Sequence, residues 1–209
     1  MTNNRTTDQR GRSASTPDLE SSGDSWVSRY RGSSDLRDLR LPFRGYVEAF
    51  VEAMRAAGAT VKINATYRPL ERAYLMHWSW KINRNRISAK DVPAMAGVPI
   101  SWEHCDAEGE YSDAKSVAAA RDMVRGFEMQ RLNVAPSLRS RHTVGCGIDM
   151  TISWSADLLI RDAYGELVEI DRMPRTGMNP QLHRVGASYG VIKYKRNGRD
   201  EPHWSDTGA

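Results

Sequence analysis

Apolar side chains recur along the chain with two periods, one typical of helices and one typical of strands. Between Phe43 and Met54 they lie on one side of a helical period, which predicts an amphipathic helix that ends before Gly58. The same period predicts helices over 69–83, 113–131 and 180–188. Alternation of apolar and polar residues predicts strands over 60–65, 148–154 and 191–195, and a hairpin over 158–170.

The order of these segments predicts the fold class. Helices and strands follow one another without a repeating βαβ unit. We therefore expect an α+β domain in which about three helices pack on a small, mainly antiparallel sheet. With 209 residues, of which 40% are hydrophobic, the chain is long enough for one domain with a core of its own.

Two segments fall outside this pattern. Residues 1–34 are rich in polar side chains, which predicts a flexible N-terminal arm before a domain over 35–209. Residues 84–112 are interrupted by prolines and glycines such as Pro93 and Gly97. We expect this second segment to form a long excursion over the core, as a lid or a wall of a substrate cleft.

The net charge and the apolar content of the chain limit the kinds of molecule that it is expected to bind. A net charge of +4 and a pI near 9.2 favour an anionic partner, or reflect an ordinary solvated surface. No apolar run approaches the roughly 18 residues that span a bilayer, and residues 1–32 lack the apolar stretch of a secretory signal. We therefore expect synthesis in the cytoplasm and no membrane insertion. Cys105 and Cys146 are too few for a disulfide framework, although one bridge between them stays open.

Two short segments carry residues that bind metal ions. His142 and Asp149 are separated by a turn that contains Gly145 and Gly147, and His203 lies far along the chain in the segment Asp-Glu-Pro-His-Trp. Two imidazoles and one carboxylate are a three-ligand set that leaves a fourth position for water, as in catalytic zinc sites. The glycines allow the backbone to turn tightly between the first two ligands. We expect one zinc ion at the sheet edge where the two segments meet.

Other residues near these segments suit the chemistry of amide hydrolysis. Asp200, three residues before His203, is the candidate base that activates water and returns the proton to the leaving amine, with Glu201 as the alternative. Arg68 is the candidate that stabilises negative charge on the carbonyl oxygen, unless it is an ordinary surface arginine. Ser140 would line the site and hydrogen-bond the substrate or a ligand.

The spacing Ser-x-His-x6-Asp, followed by Asp-x-Pro-His, resembles the signature of the M15 zinc peptidases. That family includes D-alanyl-D-alanine carboxypeptidases and dipeptidases, and bacteriophage L-alanyl-D-glutamate endopeptidases. Thr-Tyr-Arg-Pro at 66–69 resembles an upstream family segment whose arginine acts in catalysis, so the resemblance covers about 39–204. It implies three zinc ligands, a substrate-assisting arginine and an acid/base residue, which are His142, Asp149, His203, Arg68 and Asp200.

The resemblance also implies a function. Asp200 stands where many members have glutamate, which is similar to the phage endolysin branch, and Gly147 stands where alanine is usual. We therefore expect a zinc peptidase that hydrolyses an amide bond in the peptidoglycan stem peptide, as an endolysin-type L-alanyl-D-glutamate endopeptidase. A D-alanyl-D-alanine carboxypeptidase or dipeptidase is the first alternative. A non-catalytic phage structural module stabilised by zinc is the second.

The expected partner is bacterial peptidoglycan. Nucleic acid is not expected as a partner, because the arginines form no recognised nucleic-acid-binding motif. We expect a monomer that is made in the cytoplasm, the host cytoplasm if the protein belongs to a phage, and that acts on the cell wall after release.

Overall fold

A computed structural model describes residues 18–194 and 201–209. Within them lie four α-helices: α1 (Phe43–Ala56), α2 (Leu70–Asn83), α3 (Asp113–Gly126) and α4 (Pro180–Ser188). The strands are β1 (Glu20–Ser21), β2 (Thr60–Ala65), β3 (Ile100–Ser101), β4 (Gly147–Ser153), β5 (Leu158–Arg161), β6 (Leu167–Ile170), β7 (Ile192–Lys193) and β8 (His203–Ser205). Helices accompany mainly antiparallel strands, which confirms the expected α+β class.

The helices and strands follow the sequence patterns, with differences at their ends. β2 occupies the predicted 60–65, but α3 ends at Gly126, short of the predicted 131. Glu128 adopts a left-handed conformation with φ 58°, and the Met129 N–H donates to the Val124 carbonyl oxygen at 2.9 Å. This closing bond is typical of a helix that ends in a left-handed residue. β7 is shorter than the strand predicted over 191–195.

The main sheet has four strands in the order β2-β4-β8-β7, with every neighbouring pair antiparallel. β4 and β8 are its inner strands, and their register places Asp149 directly opposite His203. β5 and β6 form a separate antiparallel hairpin, as the pattern over 158–170 predicts, and β1 pairs with β3 in parallel. The two candidate metal ligands on strands therefore lie on the inner pair of the sheet, whereas the sequence predicted a site at the sheet edge.

One face of the main sheet and α1 enclose the first hydrophobic core. Phe50 and Met54 of α1 are fully buried, and the Phe50 ring lies 5.6 Å from the Trp204 ring of β8. Ile148 and Met150 of β4 are buried in the same core. Because successive side chains of a strand point to opposite faces, Asp149 between them faces away from this core.

A second hydrophobic core lies between α2 and α3, and residues 18–34 pack on it. Trp26 is fully buried there, and its indole N–H donates to the Ser21 carbonyl oxygen at 3.0 Å. Val27 packs against α3 so closely that a Cβ atom on Gly126 would lie 2.6 Å from it. The structure thus differs from the expected arm over 18–34, because one buried tryptophan anchors an otherwise polar segment. Residues 1–17 lie outside the described part.

The excursion over 84–112 also belongs to the second core. Its residues Val98, Ile100 and Trp102 are buried with those of α2 and α3. The Trp102 indole N–H donates to the Tyr74 hydroxyl group of α2 at 3.0 Å. None of the described helices is both long and apolar enough to span a bilayer.

Candidate metal centre

Three side chains from the two predicted segments converge on one point. The Nε2 atom of His142 lies 3.1 Å from Oδ1 of Asp149 and 3.0 Å from Nδ1 of His203. The remaining pair, Nδ1 of His203 and Oδ1 of Asp149, is 2.9 Å apart. Both imidazoles are buried and the carboxylate is half-buried. These residues form a group that could hold a metal ion.

The strand register and one close approach of the backbone create this convergence. Asp149 and His203 face each other across β4 and β8, whereas His142 comes from a short 3₁₀ turn over Arg141–Val144. The turn packs closely against Gly147. A Cβ atom at this position would lie 2.9 Å from the backbone nitrogen of His142. Gly145 ends the turn with φ 70°, in the left-handed region that favours glycine.

Backbone oxygens contact the outer nitrogens of both imidazoles. Nδ1 of His142 lies 2.9 Å from the Thr66 oxygen, and Nε2 of His203 lies 3.3 Å from the Ala209 oxygen. A backbone oxygen can only accept, so each of these nitrogens can donate to it. When each neutral ring carries its hydrogen there, the other nitrogen presents a lone pair toward a metal ion beside the Asp149 carboxylate. Three acceptors that face one another at about 3 Å repel unless a cation lies between them.

The electrostatics of Asp149 describe the centre with its imidazoles protonated. Burial by itself would raise the pKa of the carboxyl group. When His142 and His203 are protonated in place of a bound cation, their hydrogen bonds and charges outweigh burial and hold the pKa of Asp149 well below its usual value. The carboxylate is therefore ionised at neutral pH, as a metal ligand must be.

The donor set fits zinc. Imidazole nitrogen and carboxylate oxygen bind Zn²⁺ at about 2.0–2.2 Å in tetrahedral geometry, which places the ligand atoms about 3.3 Å apart. The observed separations of 2.9–3.1 Å are within a few tenths of an ångström of that spacing. Hydrogen bonds from the outer ring nitrogens to carbonyl oxygens are the usual second contact of histidine ligands.

The group opens into a cavity of about 520 Å³. Arginines line one part of it and apolar side chains another, and the residues are Arg68, Arg139, Arg141, Met76, Leu132, Val134, Ala135 and Pro136. The apolar wall is tied to α2, because Nδ1 of His77 lies 2.7 Å from the Pro136 oxygen. The cavity walls thus come from segments other than the 84–112 excursion.

Arg68 and Ser140, both selected from the sequence, line this cavity. The backbone N–H of Arg68 donates to the His142 carbonyl oxygen at 3.2 Å, which ties the segment before α2 to the ligand-bearing turn. The Ser140 hydroxyl oxygen is buried and has no hydrogen-bond partner among the described residues. A buried polar atom without a partner is costly, so this hydroxyl group is available to a bound ligand.

A second, polar cavity of about 310 Å³ adjoins the first. The two share three lining residues, Arg68, Met76 and His142. Its other walls include Ser34, from the segment expected to be a flexible arm, and Arg72 of α2. Burial, and to a smaller extent the charge of Arg68, lower the pKa of Arg72.

The remaining predicted residues lie elsewhere or beyond the described part. Asp200 lies outside the described residues, and Glu201, the alternative base, lines a different cavity beside Pro202.

Cys146 and Cys105 are free thiols, and Cys146 is not one of the three converging residues. His104, away from the centre, lies 2.9 Å from the Ser22 hydroxyl oxygen.

The sequence patterns did not predict several residues that contribute to the centre. Thr66 and Ala209 act through backbone oxygens, which carry no signature in a sequence. Tyr194 lines the cavity, and its ring packs edge-on against His203 with centroids 5.7 Å apart. Its position in the strand predicted over 191–195, before the segment that carries His203, was the only available signal.

Comparisons with known proteins give little further information. No protein-family model and no curated protein sequence matches the chain. Among solved structures, a mutant of the vancomycin resistance D,D-pentapeptidase VanY from a VanB-type resistance cassette, in complex with Zn(II), is similar with a TM-score of 0.35 and 14% identity. The match covers 80% of this chain and 71% of that one. Similarity at this level establishes neither family nor activity. The described residues establish an α+β domain with a His–Asp–His group able to hold a metal ion.

Proposed function

We propose that the protein is a zinc-dependent peptidase that hydrolyses an amide bond in the peptidoglycan stem peptide. The observation that carries the proposal is the convergence of His142, Asp149 and His203, with three acceptor atoms about 3 Å apart at the wall of an open cavity. The resemblance of the two sequence segments to zinc peptidases that act on cell wall supports the substrate class. The positive net charge of +4 suits an anionic wall polymer.

Each residue of the centre has a chemical role in this proposal. His142, Asp149 and His203 would hold the zinc ion, which supplies Lewis acidity for activating water and polarising a carbonyl group. Arg68 would stabilise the negative charge that develops on the carbonyl oxygen. The Ser140 hydroxyl group would hydrogen-bond the substrate, because it has no partner among the described residues. Asp200 would take a proton from water and return it to the leaving amine.

We propose that the protein is an endopeptidase that cleaves between L-alanine and D-glutamate. Two adjoining cavities, which share Arg68, Met76 and His142, support this proposal. An endopeptidase must accommodate the peptide on both sides of the bond, whereas a carboxypeptidase needs room for one residue on one side. The arginines of the cleft suit the carboxylates of a stem peptide.

A D-alanyl-D-alanine carboxypeptidase or dipeptidase is the alternative activity. Arg139 lines the larger cavity and is exposed, and a guanidinium group in that position also suits a terminal carboxylate. The bond that is cut therefore distinguishes the two activities.

The test is incubation of purified sacculi with the zinc-loaded protein, with and without chelator, followed by mass spectrometry of the released muropeptides. We expect new amino groups that disappear with chelator and return with zinc. Cleavage between L-alanine and D-glutamate supports the endopeptidase, and loss of a terminal alanine supports the alternative. No zinc-dependent product on any substrate would refute the proposed function.

A variant that blocks one arm of the cleft sharpens this test. Ser34→Trp places a bulky ring in the smaller cavity, so we expect it to lower endopeptidase turnover while zinc binding is retained. Ser28→Trp, on the exposed part of the same segment, is the matched control. If Ser34→Trp cleaves stem peptides as the wild type does, the peptide does not occupy this arm.

Asp200→Ala separates the enzyme from a non-catalytic module stabilised by zinc. In an enzyme, this substitution abolishes turnover while the zinc content stays at one ion per chain. A structural module has no turnover for the substitution to remove.

A further inference from the structure

The last residues of the described chain form a compact turn around one buried hydroxyl group. The Ser205 Oγ atom accepts hydrogen bonds from the backbone N–H groups of Gly208 at 2.8 Å and Ala209 at 3.1 Å. The same hydroxyl group lies 3.1 Å from the backbone oxygen of Ala209, to which it donates. Ser205 is fully buried, at the end of β8. We call residues 205–209 the Ser205 turn.

This turn presents a backbone oxygen to one of the candidate metal ligands. The Ala209 oxygen lies 3.3 Å from Nε2 of His203, the ring nitrogen that points away from the centre. The equivalent acceptor for His142 is the Thr66 oxygen, whose backbone is held by a 2.7 Å bond from the Thr66 N–H to the Ser33 oxygen. Ala209 is in no strand, so its oxygen depends on the Ser205 hydroxyl group for its position.

Other contacts show that the turn is specifically built. Gly208 has φ 73°, and a Cβ atom there would lie 2.8 Å from the Ile192 side chain. The Asp206 N–H donates to the Cys146 oxygen at 3.2 Å, and Nε of Arg141 donates to the Asp206 carboxylate at 2.8 Å. Arg141 is the neighbour of His142. The Ser205 turn is therefore attached to both segments that carry the imidazoles.

We propose that Ser205 is a positioning residue that acts on the metal centre through the backbone oxygen of Ala209. By holding that oxygen, Ser205 orients the His203 ring so that Nε2–H donates outward and the Nδ1 lone pair is directed toward the zinc ion when it is bound. Zinc affinity then depends on a hydroxyl group that contacts neither the metal ion nor the substrate. The inference rests on the proposed zinc binding.

The test compares Ser205→Ala with the wild type in two measurements. Competition with a chromophoric chelator gives the zinc dissociation constant, which we expect to rise by about 10- to 100-fold, the usual effect of removing an outer partner. NMR of the metal-free protein, with the His203 ring protonated, gives the Nε2–H signal, which reports the hydrogen bond to the Ala209 oxygen. We expect this proton signal to move upfield in Ser205→Ala. General destabilisation would not change the signal in the folded protein, so it isolates the positioning role.

Ser188→Ala is the matched control, because the Ser188 hydroxyl group makes two comparable bonds, to Val185 and Ala163, away from the centre. It should leave both measurements unchanged. Gly208→Ala is a second variant that keeps the Ser205 hydroxyl group but displaces the turn, and it should weaken zinc binding in the same direction. If Ser205→Ala does not fold, Gly208→Ala provides the test of the positioning role.

The outcomes separate this inference from the proposed function. Wild-type zinc affinity and an unchanged Nε2–H signal in a folded Ser205→Ala protein would overturn the positioning role and leave the proposed function standing. If the wild type binds no zinc, the proposed function fails. The Nε2–H signal of the protonated His203 ring in the metal-free variant then still decides whether Ser205 orients the ring.

Discussion

Asp149 and His203 lie directly opposite each other on the inner strands of the sheet, with the carboxylate Oδ1 atom 2.9 Å from the imidazole Nδ1 atom. Opposed residues on antiparallel strands have Cβ atoms about 4.5–5.5 Å apart, so the ladder itself brings these side chains together. The opposite face of the same strands carries Ile148 and Trp204, both fully buried. Packing of the first core therefore holds the register, and the register holds two of the three candidate ligands.

Asp149→Asn should abolish tight zinc binding without unfolding the protein. An amide has nearly the same shape as the carboxylate but is neutral, and the Asp149 side chain is not part of the hydrophobic core. We expect the zinc dissociation constant to rise by more than the roughly 10- to 100-fold that outer partners contribute. Metal analysis after dialysis measures it. Asp157→Asn, at an exposed carboxylate paired with Arg175, is the control and should keep its zinc. Stoichiometric zinc in Asp149→Asn would remove this residue from the ligand set.

Gly147→Ala should displace the turn that carries His142. The added Cβ atom would lie 2.9 Å from the His142 nitrogen and 3.0 Å from the Arg141 carbonyl carbon, and neither backbone atom can move independently. Overpacking of this kind costs about 1–3 kcal/mol. We expect the free energy of unfolding of the metal-free protein, measured in urea, to fall by about that amount, and zinc affinity to fall with it.

Gly45→Ala is the matched control for this substitution. Gly45 lies in α1, and an added Cβ atom would meet nothing within 4 Å. Alanine is the better helix former by about 1 kcal/mol, so the control should be neutral or stabilising. Equal stability losses in the two variants would contradict the close approach at Gly147.

Arg68→Lys should lower turnover while zinc content stays unchanged. Lysine keeps the positive charge but lacks the planar pair of donors that a guanidinium group offers to a developing oxyanion. Removing one oxyanion donor typically lowers kcat by about 100- to 1000-fold. Stem-peptide cleavage with equal zinc loading measures the effect. Arg125→Lys, on the exposed end of α3, should retain full activity. Wild-type kcat in Arg68→Lys would leave Arg68 with no catalytic role.

Trp26→Ala should destabilise the protein and release the segment 18–34. The indole ring is fully buried in the second core, and truncation of such a side chain costs about 3–5 kcal/mol. Denaturant unfolding measures the loss. Leu19→Ala, at a side chain 61% exposed in the same segment, should change stability little. A small effect of Trp26→Ala would mean that this segment does not depend on its tryptophan for docking.

Much of the secondary structure could be predicted because it depends on local patterns. The apolar period between Phe43 and Met54 matches α1, and the alternation over 60–65 matches β2. The end of α3 could not be predicted, because the left-handed residue Glu128 is an ordinary helix former by composition. Trp26 was likewise misjudged, because the polar composition around it does not reveal that a distant core receives its ring.

The candidate centre likewise contains residues that could be predicted from the sequence and residues that could not. The types and spacing of His142, Asp149 and His203 are sufficient to select them, because metal ligands are side chains and their chemistry is readable from the sequence. The oxygens that orient the imidazoles, from Thr66 and Ala209, belong to the backbone. Every residue has such an oxygen, so no spacing can mark these two.

The sequence by itself determined the α+β class, most helices and strands, and the side chains that could bind a metal ion. The tertiary structure alone decided that Asp149 and His203 are opposed in register, that Gly147 seats the turn of His142, and that the Ser205 turn reaches His203. The physical reason is the separation along the chain over which each effect acts. Periodicity and ligand chemistry act within a few residues, whereas each of these contacts depends on how separate segments pack around the cores.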